Sequence, residues 1–262
     1  MSKSYLELCK KRDVISLVKP LMQQAGYKLR DADGKIYAET HLAWDTPWHH
    51  VYHAGNLDCH IWHKITFDFV FKAAKVQLAP MHCHNCYKVV CRPPTLKSLF
   101  ALLDLQKRMG RPSKCGIEIR DTVFGLYGGY FYNWGLEAGL ECYEAVRAEV
   151  DKDPELGKDV PVILKRACTE FELLCGPSDK WEITEVQREL ESLIHNTFVL
   201  DIKHRSQPDH AIANVHRKWI EWAYMCGDAT YLEYTNGKPL YPPFVTYHHL
   251  IQKKKTAQKA KK

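Results

Sequence analysis

Apolar positions along this chain follow two periods, and the switches between them mark its elements. Residues 4–25, SYLELCKKRDVISLVKPLMQQA, repeat every three to four positions and predict a helix, with Pro20 near its end as a kink or stop. YKLRDADGKIYAE, 27–39, alternates about an Asp-Gly pair and predicts a β-hairpin. Residues 41–63, HLAWDTPWHHVYHAGNLDCHIWH, are rich in histidine and aromatic side chains and follow neither period. From about residue 74 strands and helices alternate. AKVQLAP (74–80), CGIEIRD (115–121), VPVILKR (160–166) and TFVLDIKH (197–204) read as buried strands. PTLKSLFALLDLQKRMG (94–110, closed by Gly110), WGLEAGLECYEAVRAEV (134–150) and TEVQRELESLIH (184–195) read as amphipathic helices, and ACTEFELL begins another. TVFGLYGGYFYN, after the second strand, reads as a glycine- and tyrosine-rich loop.

This alternation predicts an α/β fold: repeated βα units forming a parallel sheet or partial barrel. An N-terminal helix and hairpin precede it, and a helical addition, HAIANVHRKWIEWAYMCGD, follows it. One domain is expected over 1–252, with its core at about 74–204.

Charge changes the picture little. The last ten residues, KKKTAQKAKK, hold six lysines and no acid, and without them 31 basic residues face 31 acidic ones. The net charge of +6 therefore belongs to the tail, 253–262. Such a tail is expected to be disordered and to hold a polyanion loosely, or only to aid solubility. No apolar run reaches the roughly 18 residues of a membrane span, and the N-terminus has charges on both sides of its short apolar run, unlike a signal peptide. The expected location is the cytoplasm. There, ten cysteines argue for reduced thiols rather than a disulfide framework. Cys9, Cys142, Cys175 and Cys226 lie in helix-like apolar contexts and read as core packing.

Candidate chemistry concentrates in MHCHNCYKVVCRPP, 81–94. Cys83-x2-Cys86 lets two thiolates meet one metal from a single turn, and Cys91 converges if the loop folds back. Three thiolates suit zinc with a fourth ligand, or a 4Fe-4S cluster with one iron open. Fourth-ligand candidates are His82, His84, Cys59, His60, His63 and Cys115, since eight of the fourteen histidines fall within 41–84. Only one CxxC pair is present, so a two-knuckle structural clip is not formed in sequence, and an open catalytic metal is favoured.

In parallel sheets ligands bind outside the carboxyl ends of the strands. Arg92, Arg120 and Arg166 end candidate strands and would hold phosphate or carboxylate there. Tyr127, Gly128 and Gly129 would let backbone and rings approach a ligand, while Asp121, Glu170 or His204 could move protons. The competing readings are solvated strand ends and tyrosines that merely pack.

A three-cysteine loop after the strand KVQLAP, followed by βα units, resembles the radical S-adenosylmethionine enzymes over residues 74–204. That family's spacing is Cx3Cx2C, whereas this chain has Cx2Cx4C, and Tyr130 stands where the family's GGE-like loop carries an acid. The resemblance implies an iron–sulfur cluster whose open iron holds S-adenosylmethionine. The expected function is a metal-centre enzyme, with iron–sulfur or zinc, modifying a nucleobase, nucleotide or nucleic acid such as DNA. The alternatives are a zinc-stabilised nucleic-acid-binding protein without catalysis and a metal-dependent nuclease or hydrolase using the histidines of 41–63.

Overall fold

The structure is a computed structural model and describes residues 14–41, 46–52, 59–71, 76–203, 206–241 and 243–250. Helix α1 (Val14–Gln24) runs through Pro20 and buries Val18 and Met22, one turn apart. The hairpin forms as expected: β1 (Lys28–Ala32) and β2 (Lys35–His41) turn through Asp33 and Gly34, both at positive φ (51° and 70°). Two consecutive positive φ values give the turn whose twist matches antiparallel strands. β3 (Trp48–Tyr52) follows, then α2 (Cys59–His63), which continues as π-type turns over Lys64–Phe71.

Residues 76–80, expected as strand, pair with nothing; they lead into a 3-10 turn at Met81–Asn85. The strand begins instead at Cys86, so that β4 (Cys86–Cys91) occupies the supposed cysteine loop. Helix α3 (Leu96–Met109) is capped by Thr95 and Ser98 in a reciprocal box and ends at Gly110 in the left-handed region. β5 (Ser113–Ile117) and β6 (Tyr127–Trp134) come next, the latter replacing the supposed tyrosine loop. Helix α4 (Leu136–Lys152), β7 (Val162–Arg166), α5 (Thr169–Cys175), α6 (Glu185–Thr197), β8 (Phe198–Lys203) and α7 (Asp209–Cys226) complete the order.

The parallel-sheet expectation is overturned. Five strands pair in the order β3-β5-β6-β4-β7, and every pairing is antiparallel. The sheet is open, with β3 and β7 at its edges, and no closed barrel forms. Helix α3 does connect two strands of the same direction, β4 and β5, but β6 lies between them. Helix α4 likewise connects β6 to β7 across β4. The two βα units are split and interleaved, in the βαββαβ arrangement called ferredoxin-like. A second sheet, β1-β2-β8, is mixed, with β2 and β8 parallel.

Helices α3, α4 and α7 cover one face of the five-stranded sheet. Val89, Cys91, Cys115, Ile117, Tyr127 and Phe131 meet Leu99, Leu102, Val146 and Trp219 in the larger core. The C-terminal helix is thus part of the core rather than an addition, and Trp219 Nε1 donates to Pro47 O at 2.7 Å. A second core joins Val18, Met22, Ile36, Ile61, Ile65, Ile194 and Phe198 around the smaller sheet. Among the described residues no helix is long and apolar enough to cross a membrane. The lysine tail lies outside the described residues.

Candidate metal centre and sheet face

Cys59 and His63 stand four residues apart on α2 and so share one face of the helix. The 3-10 turn after Pro80 brings His82 and Cys83 to that face. Cys59 Sγ lies 3.2 Å from His63 Nε2 and 3.5 Å from His82 Nε2, and Cys83 Sγ lies 3.1 Å from His63 Nε2. A tetrahedral zinc with Zn–S near 2.3 Å and Zn–N near 2.0–2.1 Å has S···N edges of roughly 3.6 Å. These separations are close to such edges, and Cys59, His63 and His82 are placed to hold a metal ion.

The surroundings fix the donors. The His63 and His82 rings stack with centroids 4.8 Å apart, and Phe171 meets His63 edge-on at 4.7 Å. Glu191, fully buried on α6, accepts the Met81 N–H with both carboxylate oxygens at 3.0 Å. Gln187 Nε2 donates to Glu191 at 2.8 Å and to Ala79 O at 2.8 Å, which pins the chain just before the donors. His82 Nδ1 is buried without a hydrogen-bond partner and faces a second donor group with Glu191 and His195. Burial pushes the Cys59 thiol up to about 12 and raises Cys83 further, and it lowers His82 to about 4. Buried thiols of this kind ionise when a cation sits among them, because the metal charge replaces the lost water.

The three cysteines singled out in sequence are not brought together. Cys83 belongs to the group above. Cys86 starts β4, where its carbonyl accepts the Ala167 N–H at 2.7 Å. Cys91 ends the same strand, roughly 17 Å away at about 3.4 Å per residue, and is buried in the larger core. An extended strand cannot return its last residue to a metal held before its first. Cys115 lies in the same core, His84 packs beside Trp181, and the His60 side chain lies outside the described residues.

The three-arginine site does not form either. Arg166 sits beside Tyr87 at the start of β4, giving its Nε to Tyr87 Oη (3.1 Å) and an Nη to Ser178 O (2.6 Å). Arg92 follows the other end of that strand and joins Arg120 around Glu118. Arg120 donates to both Glu118 oxygens at 2.7 and 2.8 Å, and Arg92 Nη1 lies 3.6 Å from Glu118. Tyr130 Oη donates to Glu118 at 2.7 Å and accepts from both arginines at 3.0 Å. Of the proton-transfer candidates, Glu170 pairs with Arg120 at 3.4 Å, Asp121 is exposed in the following loop, and His204 lies outside the described residues. Tyr127 is buried and donates to Asp228 at 2.8 Å. A side chain at Gly128 would strike Arg92, and one at Gly129 would strike Leu102, so both glycines make room for this chain's own residues.

Strand alternation aims a different set away from the helices. Lys88 on β4, Lys114 on β5, Tyr130 and Tyr132 on β6 and Trp48 on β3 share the opposite face with Arg92, Glu118 and Arg120. Trp48 and Tyr130 meet edge-on at 5.4 Å, and Lys114 Nζ lies 4.6 Å above the Trp48 ring and 5.8 Å from that of Tyr130. Lys88 is buried, gives its ammonium to Cys168 Sγ at 2.8 Å and lies 5.6 Å from the Tyr132 ring. Burial, then the neighbouring Lys88 charge, pushes Lys114 down to about 8. Arg92 and Arg120 thus hold one buried carboxylate, Glu118, which also acts electrostatically on Lys114. Lys88 also acts electrostatically on Cys59, so the face and the metal group adjoin.

The fold and site define a split βαββαβ sheet with a Cys/His metal group at its margin. No protein family, curated protein or solved structure matches the chain.

Proposed function

We propose that the protein is a zinc-stabilised nucleic-acid-binding protein, the non-catalytic alternative of those raised by the sequence. The observation that carries the reading is the sheet face, where Lys88, Lys114, Arg92 and Arg120 lie among Trp48, Tyr130 and Tyr132. Cations interleaved with aromatic rings on an antiparallel sheet suit phosphates and bases together. The six lysines of 253–262 add sequence-independent attraction.

The metal group supports a structural role. Cys59, His63 and His82 lie together with Cys83 beside His63, and a Cys83 that closed in on the ion would make the fourth donor of a closed site, whereas a catalytic zinc keeps one position for water. Zinc there would join α2 to the turn before β4. An iron–sulfur cluster held by three cysteines has no support in the placement of Cys91.

Metal analysis and salt-dependent binding test the proposal. Purified protein is expected to carry one equivalent of zinc, and Cys59→Ser, His63→Ala or Cys83→Ser to lose it with a lower melting temperature. Cys91→Ser is expected to keep it. Affinity for nucleic acid should fall steeply as salt rises. Metal-free wild-type protein, or metal lost with Cys91 and retained without Cys59, would refute the assignment.

A further inference from the structure

Every cation on the sheet face has an acceptor within the chain except one. Lys88 gives its proton to Cys168, Lys165 is held by Glu172 and Thr169, and Arg92 and Arg120 share Glu118 and Tyr130. Lys114 Nζ has no hydrogen-bond acceptor among the described residues; it rests between the Trp48 and Tyr130 rings. Glu118 acts on this ammonium electrostatically but makes no hydrogen bond to it, so a half-buried donor over two rings is left with bonds to offer a ligand anion.

The backbone that carries the Trp48 ring is held firmly. Gln207 accepts the His50 N–H at 3.0 Å and donates to Trp48 O at 3.1 Å, and Thr46 Oγ1 accepts the Trp48 N–H at 3.3 Å. Tyr130 and Lys88 are 6% and 8% exposed beneath their neighbours, while Trp48, Lys114 and Tyr132 beside them are half-buried and reach solvent.

We infer that this face binds one nucleotide unit of a single strand, with a base against Trp48 and a phosphate on Lys114. The inference rests on the proposed function and narrows it. A duplex keeps its bases stacked inside, out of reach of half-buried rings, whereas a single strand can splay a base onto them. A free mononucleotide offers the same base and phosphate, so it is the rival occupant.

The test uses the full-length, zinc-loaded chain at moderate salt, with fluorescein-labelled oligo(dT) of about 20 nucleotides, a duplex of equal length, and thymidine monophosphate. Single-strand binding is expected to exceed duplex binding. Trp48→Ala and Lys114→Met should each weaken it roughly tenfold to a hundredfold, the range of a lost base-stacking contact. Trp48→Phe and Lys114→Arg should restore most of the affinity, with zinc content unchanged in all four variants. Equal binding of duplex and single strand, or affinity indifferent to Trp48 and Lys114, overturns the inference and leaves the proposed function standing. The monophosphate binding as tightly as the oligonucleotide, with the same loss in both variants, replaces the strand with a nucleotide pocket. Absence of binding to any nucleic acid, even at low salt, overturns both.

Discussion

Glu118 shows how one buried carboxylate organises the sheet face. Burial alone would raise its pKa, but hydrogen bonds from Arg120 and Tyr130 outweigh burial and hold it at about 2. A depressed folded pKa means that the unfolded chain takes up a proton first as pH falls. The stabilisation is therefore present above the unfolded value near 4.3 and is lost as pH falls from there through about 2. The shift corresponds to roughly 3 kcal/mol. Glu118→Gln should be less stable than wild type in urea melts at pH 7, and the difference should shrink as pH approaches 2. A difference equally large at pH 7 and below pH 3 would mean that ionisation of Glu118 plays no part. Lys88 poses the converse problem. A lysine buried in a central strand needs a partner, and only the folded chain brings Cys168, eighty positions away, to its ammonium.

At the scale of elements, β6 decides the architecture. Read along the sequence, Tyr127-Gly-Gly-Tyr is a loop because paired glycines weaken a strand. In the fold the glycines are what let β6 lie between β4 and β5. Leu102 of α3 fills the space over Gly129, and Arg92 lies over Gly128. Gly129→Ala should lower stability by about 1–3 kcal/mol through overpacking against Leu102. It should leave nucleic-acid affinity unchanged in the folded fraction, since Gly129 faces the helices. If affinity falls while stability holds, the glycine serves a ligand after all. The caps of α3 were legible in sequence because Thr95, Ser98 and Gly110 act on their own helix ends. The split pairing was not, because parallel and antiparallel strands share the same two-residue alternation.

Across the whole molecule, the metal donors sit where separate packing units meet. Cys59 and His63 flank Ile61 of the second core, while Cys83 packs with Ala79, Ala167 and Phe171 in a small cluster of its own. A zinc held there would tie the helix before β4 to the turn that leads into that strand. The lysine tail belongs to the same scale, since it carries the whole net charge of +6. Deleting 253–262 should leave the melting temperature nearly unchanged, because lysines without apolar neighbours bury little. It should weaken nucleic-acid binding at low salt and flatten the salt dependence. A large drop in melting temperature would show that the tail packs against the body.

The amino-acid sequence alone determined what local interactions control. It set the hairpin at Asp33-Gly34, helix α3 closed by Gly110, helix α4, the burial of Cys142, and the concentration of metal donors near residue 82. Each follows from a backbone preference or a side-chain period confined to a few neighbours. Tertiary structure alone decided which donors converge, bringing Cys59, His63 and His82 together with Cys83 beside His63, while Cys91 lies at the far end of β4. It also decided that two interleaved βα units yield an antiparallel sheet, and that Trp48, Lys114 and Tyr130 meet on its far face. Those outcomes rest on strand order and helix packing between distant segments, and spacing along the chain does not encode distance across a fold.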